Sequence, residues 1–310
     1  MLSKFHVYYR KSKNLVLSNL NIGEITSMHR MFFYCHKLSS IDISGVDTSK
    51  VTDMSEVFEG CTDLPSINVS NIDTSNVTTM KGMFNNCRAL TSLNISGLNT
   101  SKVTDMKWMF FLCESLTSLD LSSFDTSNVI SMRNMFSSCE SLTSLDVSNF
   151  NTSNVTDMES MFDSCSSLTS LDLSNFDTSK VTNMNNMFTG CTSLVSINLF
   201  NLNTENLTTI GDIFYKCESL VSLDLSTFDS SGISCMVGMF EKCKSLREVK
   251  GILDLSSCND VQRMFKKTNK LRNLHLKNVP RSLLDADGSL KGAGGTLNKT
   301  YIIDNILEDK

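Results

Sequence analysis

Apolar and polar residues alternate in a short block that recurs along the chain. In the block SLTSLDLSSF, which begins at Ser115, Leu119 and Leu121 alternate with polar residues. Alternation of this kind over a few residues is typical of a β-strand with one buried face. The pattern therefore predicts a short strand in each block.

The segment that follows has apolar residues at a different spacing. In this block they are Val129, Met132, Met135, Phe136 and Cys139. At about 100° per residue, all five fall within an arc of about 120°, the width of the buried stripe of an α-helix. The DTSN segment just before them has the residue types of a helix N-cap. We therefore expect each block to run strand, capped turn, short helix and return.

Nine cysteines recur at a constant interval of 26 residues, at Cys35, Cys61, Cys87, Cys113, Cys139, Cys165, Cys191, Cys217 and Cys243. A unit of this length cannot bury both its strand face and its helix stripe, so neighbouring units must stack. Parallel strands joined through a helix connect right-handedly, and strands at about 4.8 Å are closer than helices at about 8–10 Å. The predicted fold is an α/β repeat solenoid: a right-handed leucine-rich-repeat-like stack with a parallel β-sheet on its concave face and short helices on its convex face.

The repeats divide the chain into three parts. Residues 1–14 are an N-terminal lead-in, residues 15–279 a solenoid of about eleven strands, and residues 280–310 a C-terminal cap or linker. Near the end, Gly251 and Ile252 enter the strand region and shift the register. The last part contains SLKGAGGT and TYIIDNIL. This part is either a β-hairpin cap or a short linker with its own strand.

The repeat also carries a family signature. The segment NTSNVTDMESMFDSCSSLTSLDLSNFDTS, starting at Asn151, resembles the BspA-like leucine-rich-repeat surface proteins. That resemblance covers residues 15–279 and implies an adhesin-like protein at the cell surface or outside the cell, which binds host proteins or other cells. Similar repeats occur in viral and phage-encoded proteins. Surface members carry a signal peptide or lipoprotein cysteine, and no export signal is visible in this chain.

Composition and charge add two points. No run reaches the roughly 18 apolar residues of a transmembrane helix, so no transmembrane segment is predicted. Residues 241–281 carry eleven Lys or Arg against four Asp or Glu, although the net charge of the chain is −5. This basic end is either a solvated cap or a surface that attracts an anionic glycan, nucleic acid or an acidic subunit. No aromatic-interleaved motif accompanies it, so nucleic acid is not favoured.

The cysteine repeat raises the question of disulfides and metals. Stacked equivalents have Cβ atoms about 4.8 Å apart, whereas a disulfide needs about 3.5–4.5 Å. Cys-x-x-Cys pairs are absent, so no metal site is predicted. We expect free thiols that pack as small hydrophobic groups, and no cofactor.

A polar residue near the end of each predicted strand forms a second series, here called the polar ladder: Asp42, Asn68, Asn94, Asp120, Asp146, Asp172, Asn198 and Asp224. Aspartates about 4.8 Å apart repel by roughly 1 kcal/mol in water, so a cation or basic partner is favourable there. A solvated polar face also tolerates that repulsion. The candidate binding residues in the ladder are Asp120, Asp146 and Asp172.

Four aromatic residues depart from the apolar template and are candidate contacts, because binding surfaces are enriched in exposed rings. Trp108 and Phe111 fall off the apolar arc of their predicted helix. Tyr215 occupies the position of Phe111 in its own repeat, and Phe200 replaces a serine on the strand face. The alternative is that neighbouring side chains cover these rings.

No catalytic constellation is visible, since the four histidines lie in no known metal or nucleophile motif and no Gly-x-Ser-x-Gly or Walker loop occurs. The sequence predicts a non-enzymatic binding or adhesion protein that presents its repeat surface to a protein or glycan on a host or neighbouring cell. A small-molecule substrate is not expected. The alternative is a structural spacer, or a fibre or phage-particle component, assembled through residues 280–310.

Overall fold

The computed structural model describes residues 9–17, 24–280 and 301–307. The chain forms two compact units, Met1–Asn154 and Val155–Lys310. In both, the described residues form a parallel β-solenoid. The strands are β1 (Asn14–Val16), β2 (Ser40–Asp42), β3 (Ser66–Asn68), β4 (Ser92–Asn94), β5 (Ser170–Asp172), β6 (Ser196–Asn198), β7 (Ser222–Asp224), β8 (Glu248–Asp254), β9 (Asn273–Pro280) and β10 (Tyr301–Leu307).

Successive strands of the first unit pair in parallel at the repeat interval. β1 pairs with β2 and β3 pairs with β4, so that Ile67 lies beside Leu93. Isolated parallel bridges link the same coils at a second position. Residues 116–121 form no strand, which makes the strand predicted around Leu119 wrong. Within the described residues, nine strands occupy the repeat region, where the sequence predicts about eleven.

The second unit contains the predicted shift of register. β5 pairs with β6, while β7, β8, β9 and β10 form one sheet. The pairing of β8 with β9 shifts between Glu248 and Ile252. Gly251 has a left-handed φ of 94°, and a Cβ there would lie 2.6 Å from the carbonyl group of Leu225. Glycine is required because any side chain at this position would collide with the backbone of Leu225 and Ser226, which follow β7.

The C-terminal strand runs parallel to its neighbour. β10 pairs with β9 in parallel, from Tyr301 beside Leu274 to Leu307 beside Pro280. This parallel pairing is not that of a hairpin between β9 and β10, and the β-hairpin cap predicted for residues 280–310 stays a prediction. The predicted strand in TYIIDNIL is confirmed. Residues 281–300, with SLKGAGGT, and residues 1–8 of the predicted lead-in lie outside the described residues.

Most of the predicted core residues are buried, although Leu119 and Ile25 are only half-buried. In the block that begins at Ser115, these residues have no exposed surface: Val129, Met132, Met135, Phe136 and Cys139. Phenylalanine rings of successive coils stack with centroids 5.4–5.7 Å apart in the first unit and 5.4–5.9 Å apart in the second. The rings are Phe32, Phe58, Phe84, Phe110 and Phe136, then Phe162, Phe188, Phe214, Phe240 and Phe265.

The predicted helices are wrong, since residues 24–280 contain no helix. Each predicted helix is a series of turns, here called the turn ribbon, which in one coil spans residues 106–113. The backbone N–H of Phe110 donates to the carbonyl of Met135 in the next coil at 2.9 Å. Trp108 and Leu112 have left-handed φ angles of 56° and 59°, and their N–H groups also donate to the next coil. Hydrogen bonds between coils replace those within a helix.

The spacing of the coils explains this outcome. Packed helices need about 8–10 Å between axes, whereas the stacked rings lie 5.4–5.9 Å apart in the second unit. A stack of helices does not fit that spacing, but a turn ribbon does. The predicted curvature depended on the width of helices, so that argument no longer applies. The apolar spacing identified the buried side correctly, because these turns also place such residues on one side.

The DTSN segment caps a turn and links coils. The Oδ1 of Asp125 accepts the backbone N–H of Ser127 at 2.9 Å. The buried Thr126 donates its hydroxyl to the carbonyl of Asn151 at 2.9 Å. The Nδ2 of Asn128 donates to the carbonyl of Ser101 in the preceding coil at 2.7 Å. The prediction that this segment is a helix N-cap is therefore wrong, because it caps a turn and no helix follows it.

Candidate binding surface

The polar ladder lies where each coil leaves the strand region and enters a turn. The Oδ1 of Asp120 accepts the backbone N–H of Ser122 at 2.9 Å. Asp146 and Asp172 accept the same bond from the residue two positions later, and all three aspartates are exposed. This is an Asx turn, which explains why a serine follows each aspartate. The predicted site residues thus have a structural role in addition to any contact role.

Hydrogen bonds also set the charge of these residues. The hydroxyl and backbone N–H of Ser122 hold the pKa of Asp120 below its usual value. The pKa values of Asp146 and Asp172 are lowered by the equivalent serines. A donor that binds a carboxylate favours its charged form, so these side chains are ionised at neutral pH. Among the described residues, no group of three His, Cys, Asp or Glu is placed to hold a metal ion.

Trp108 and Phe111 are half-buried. The Nε1 of Trp108 donates to the Oδ1 of Asn134 at 3.2 Å. The Nζ of Lys81 lies 5.0 Å from the centroid of the Trp108 ring, within cation–π distance. Residues of the coils on either side therefore contact both the edge and the face of this indole.

Tyr215 is also half-buried and in contact with charged groups. Lys242 donates from Nζ to the phenol oxygen of Tyr215 at 2.7 Å. The Nζ atoms of Lys216 and Lys242 lie 5.3 and 4.8 Å from the ring centroid. For Trp108 and Tyr215, the alternative that neighbouring side chains cover the ring describes the structure better than a free aromatic surface.

Phe200 differs from these three aromatic residues. Its side chain is 63% exposed. Its backbone N–H donates to the Oδ1 of Asn198 at 3.2 Å, so the Asx turn forms although the usual serine is missing. The ring therefore projects from a turn whose geometry is unchanged. Val195 and Val221, which sequence reasoning missed, are 50% and 41% exposed and immediately precede β6 and β7.

A cavity of about 730 Å³ lies in the second unit, and its lining begins at Asn201, the residue after Phe200. Sequence reasoning missed this cavity too. Its lining is residues 201–205 of one coil and Thr227, Asp229, Ser231 and Gly232 of the next. A break in the repeat explains it. Asn206 donates from Nδ2 to the carbonyl of Ser179 at 2.6 Å, and Gly232 occupies the equivalent position one coil later. A Cβ at Gly232 would meet nothing within 4 Å, so an omitted side chain leaves open space.

The basic end of the repeats is partly neutralised. The Nζ of Lys244 lies 2.7 Å from Glu218, and the Nη1 of Arg263 lies 2.6 Å from the buried Glu241. Burial raises the pKa of Asp212, whose carboxylate also lies 3.8 Å from Arg263. These ion pairs favour the interpretation of this end as a charged, solvated cap.

The cysteines are free, and those of the repeat are buried. The Sγ of Cys139 donates to the carbonyl of Phe110 at 3.2 Å, and Thr268, which stands in the place of a cysteine, donates to Phe240 at 2.5 Å. Burial raises the pKa of Cys139 to about 12. A thiol reacts as its thiolate, so these groups are structural and unreactive in the folded chain.

In the described part of the chain, no helix has the length and apolarity that crossing a membrane requires.

A family model described as "Mycoplasma protein of unknown function, DUF285" matches residues 2–115, 89–193 and 167–278. No curated protein matches the chain.

Two solved structures are similar over most of the chain. The functional domain of InlJ from Listeria monocytogenes, which includes a cysteine ladder, is 16% identical with a TM-score of 0.28 over 84% of this chain. A chain of the Toll–Spatzle complex of Drosophila is 16% identical with a TM-score of 0.23 over 90% of this chain. The chain spans 60% and 42% of their respective lengths.

Proposed function

The chain belongs to the DUF285 family of Mycoplasma proteins, and we propose that it is a non-enzymatic binding or adhesion protein. In this proposal its repeat surface contacts a protein or glycan on a host or neighbouring cell. The resemblance of the repeat to BspA-like surface proteins supports the same function and a location at the cell surface.

The exposure of Phe200 carries the proposal. Burying a phenylalanine side chain is worth about 1.5–3 kcal/mol, and this ring, at 63% exposure, gains little of that in the folded chain. Neighbouring coils have Ser174 and Ser226 at the same position. An exposed aromatic residue that the fold does not need is typical of a contact residue.

The other candidate contact residues contribute less to this proposal than Phe200 does. Asp172 lies in β5 beside Asn198 of β6, and Asn198 accepts the backbone N–H of Phe200, so Asp172 lies one coil from the turn that carries the ring. Trp108, Phe111 and Tyr215 present only part of their rings. In the second unit we assign the main contact to Phe200 and a secondary contact to the ionised Asp172, while the ionised Asp120 and Asp146 are separate candidate contacts of the first unit.

Binding of the labelled full chain to cultured host cells tests this function. Phe200→Ser restores the residue of the adjacent coils, so folding should be unaffected. We expect it to weaken binding at least about tenfold, as expected for a residue worth more than about 1.4 kcal/mol.

Ile130→Thr is the matched control. Ile130 is 52% exposed in the first unit, and neighbouring coils have threonine at its position. This variant should bind as the unmodified chain does. If Phe200→Ser bound every identified partner with unchanged affinity, the assigned contact surface would be wrong.

A structural spacer is the second candidate, and β10 favours it. Among the described residues β10 pairs with β9 alone, and a free strand edge can pair with another chain. Ile306 in β10 is 45% exposed. Light scattering should then show an oligomer that Ile306→Lys dissociates, because a charged residue on an edge opposes strand addition. A monomeric unmodified chain counts against this role.

A further inference from the structure

We infer that the cavity lined by residues 201–205, Thr227, Asp229, Ser231 and Gly232 is a binding site for one sugar residue of a neutral glycan. In this inference the exposed ring of Phe200 also contacts the sugar. This inference rests on the proposed function, since it names the chemical class of the partner. The supporting observation is that two successive coils differ from the repeat, one at Phe200 and the next at Gly232.

The size and the walls of the cavity suit a small polar ligand. Its volume of about 730 Å³ lies within the roughly 300–1,000 Å³ of ligand sites. Thr204 is buried and donates its hydroxyl to the carbonyl of Asp229 at 2.7 Å, which joins the two coils. The Oδ1 of Asn203 accepts the N–H of Glu205 at 2.9 Å and fixes that turn. The walls are therefore held in place before a ligand binds.

The lining offers the hydrogen-bonding groups that sugar hydroxyls need. Carboxylates of Glu205 and Asp229 accept hydrogen bonds, while the hydroxyls of Thr227 and Ser231 both donate and accept. Each sugar hydroxyl is likewise both a donor and an acceptor. Ser231 holds the pKa of Asp229 low through its backbone N–H and its hydroxyl, which keeps this acceptor ionised.

The charge of the lining residues favours a neutral glycan over an acidic one. Two carboxylates line the cavity, and the described lining residues include no Lys or Arg. A sulfated or carboxylated sugar would place like charges a few ångströms apart, which is unfavourable at this distance. A neutral hexose or N-acetylhexosamine avoids that repulsion.

We assign the apolar contact of the site to Phe200, which is not itself a lining residue of the cavity. It is the chain neighbour of Asn201, a lining residue, and its ring is 63% exposed. One face of a pyranose ring carries mainly C–H bonds, so contact with an exposed phenyl ring removes apolar surface from water on both sides. Serine in the adjacent coils offers no such surface.

The repeat supplies a variant that places a side chain in part of the cavity. Gly232→Asn introduces the residue that Asn206 represents one coil earlier, where its Nδ2 bonds to the preceding carbonyl. A Cβ at Gly232 meets nothing within 4 Å, so the variant should fold. Its melting temperature, compared with that of the unmodified chain, checks this directly. Lys180→Asn is the matched control, because it makes the same residue at the same position of a coil outside the cavity.

The experiment is binding of the full chain to a printed array of neutral hexose and N-acetylhexosamine oligosaccharides and of sulfated oligosaccharides. We expect binding to neutral members, reduced at least about tenfold by Gly232→Asn and by Phe200→Ser and unchanged by Lys180→Asn. Absence of binding to neutral members, binding to sulfated members alone, or unchanged binding by a folded Gly232→Asn variant would each overturn the inference.

Cell binding separates this inference from the proposed function. If Phe200→Ser abolishes cell binding while Gly232→Asn binds cells normally and no glycan binds the array, the adhesion proposal stands and the sugar site is wrong. If the unmodified chain binds neither cells nor glycans, the proposed function itself fails.

Discussion

Replacing Ser164 by glycine and, separately, by alanine distinguishes the turn ribbon from the helix that the apolar spacing predicts. Ser164 has a left-handed φ of 57°. Its hydroxyl donates to the Oδ1 of Asp163 at 2.8 Å, and both variants lose that bond equally. The difference in unfolding free energy between the two variants therefore reports the backbone conformation alone.

The two structures predict opposite signs. In a helix interior, glycine is about 1 kcal/mol less stable than alanine. At a left-handed φ, an L-residue with a Cβ costs roughly 1–2 kcal/mol, against which glycine loses about 0.4–1 kcal/mol because its unfolded chain is more flexible. The turn ribbon thus favours Ser164→Gly over Ser164→Ala by about 1 kcal/mol, and the two predictions lie about 2 kcal/mol apart. Gly190 already occupies the same position one coil later, with a φ of 70°.

Urea unfolding followed by circular dichroism measures the difference. The same pair of substitutions at Ser166, whose φ is not left-handed, is the control. There alanine should be the more stable residue by about 0.5–1 kcal/mol. If alanine were also the more stable residue at Ser164, the segment would be helical and the account of the turn ribbon would be refuted.

Three further predictions concern the core and the turns. Phe188→Ala should lower the unfolding free energy by about 3–5 kcal/mol, because it empties a position in the ring stack; a loss below about 1 kcal/mol in urea unfolding would contradict this. At about pH 8, a thiol reagent should label the half-buried Cys235 first and the cysteines of the repeat, such as Cys139, only after unfolding; mass spectrometry counts the labels. Hydrogen bonds from Ser75 lower the pKa of Asp73 in the folded chain, so its stabilisation is present above the unfolded pKa of about 3.9 and is lost as pH falls through the folded value. The melting temperatures of the unmodified chain and Asp73→Asn should therefore converge in acid, and a constant difference would contradict this.

The sequence predicts the stacked architecture because burial is periodic. Phe136 and Cys139 recur at a fixed interval, and a single coil cannot cover them, so their burial and the parallel pairing of coils could be predicted. The backbone of the turn ribbon could not. A spacing of three, four and seven residues suits both a helix and a series of turns. The choice depends on coil spacing, which is a property of the stack rather than of one repeat.

One part of the candidate site could be predicted, namely the position where this chain has a larger side chain than the other repeats. Phe200 stands where a serine is usual, and its exposure is confirmed. Trp108 and Tyr215 also depart, but Lys81 and Lys242 of other coils contact their rings, and their position rested on helix angles that do not apply. The cavity arises from the absence of a side chain at Gly232, which becomes informative only when it is compared with Asn206 in the stacked coil.

The division between core and surface explains how this repeat can carry a specific site. A change in the ring stack costs about 3–5 kcal/mol, whereas most exposed substitutions change stability by less than about 0.5 kcal/mol. Phe200 adds a ring and Gly232 removes a side chain in successive coils, yet the buried residues of those coils keep the template. The hydrogen bonds that form their turns are also kept, as at Asn198 and Asp229. Exposed positions can therefore form a binding surface without changing the stack that supports it.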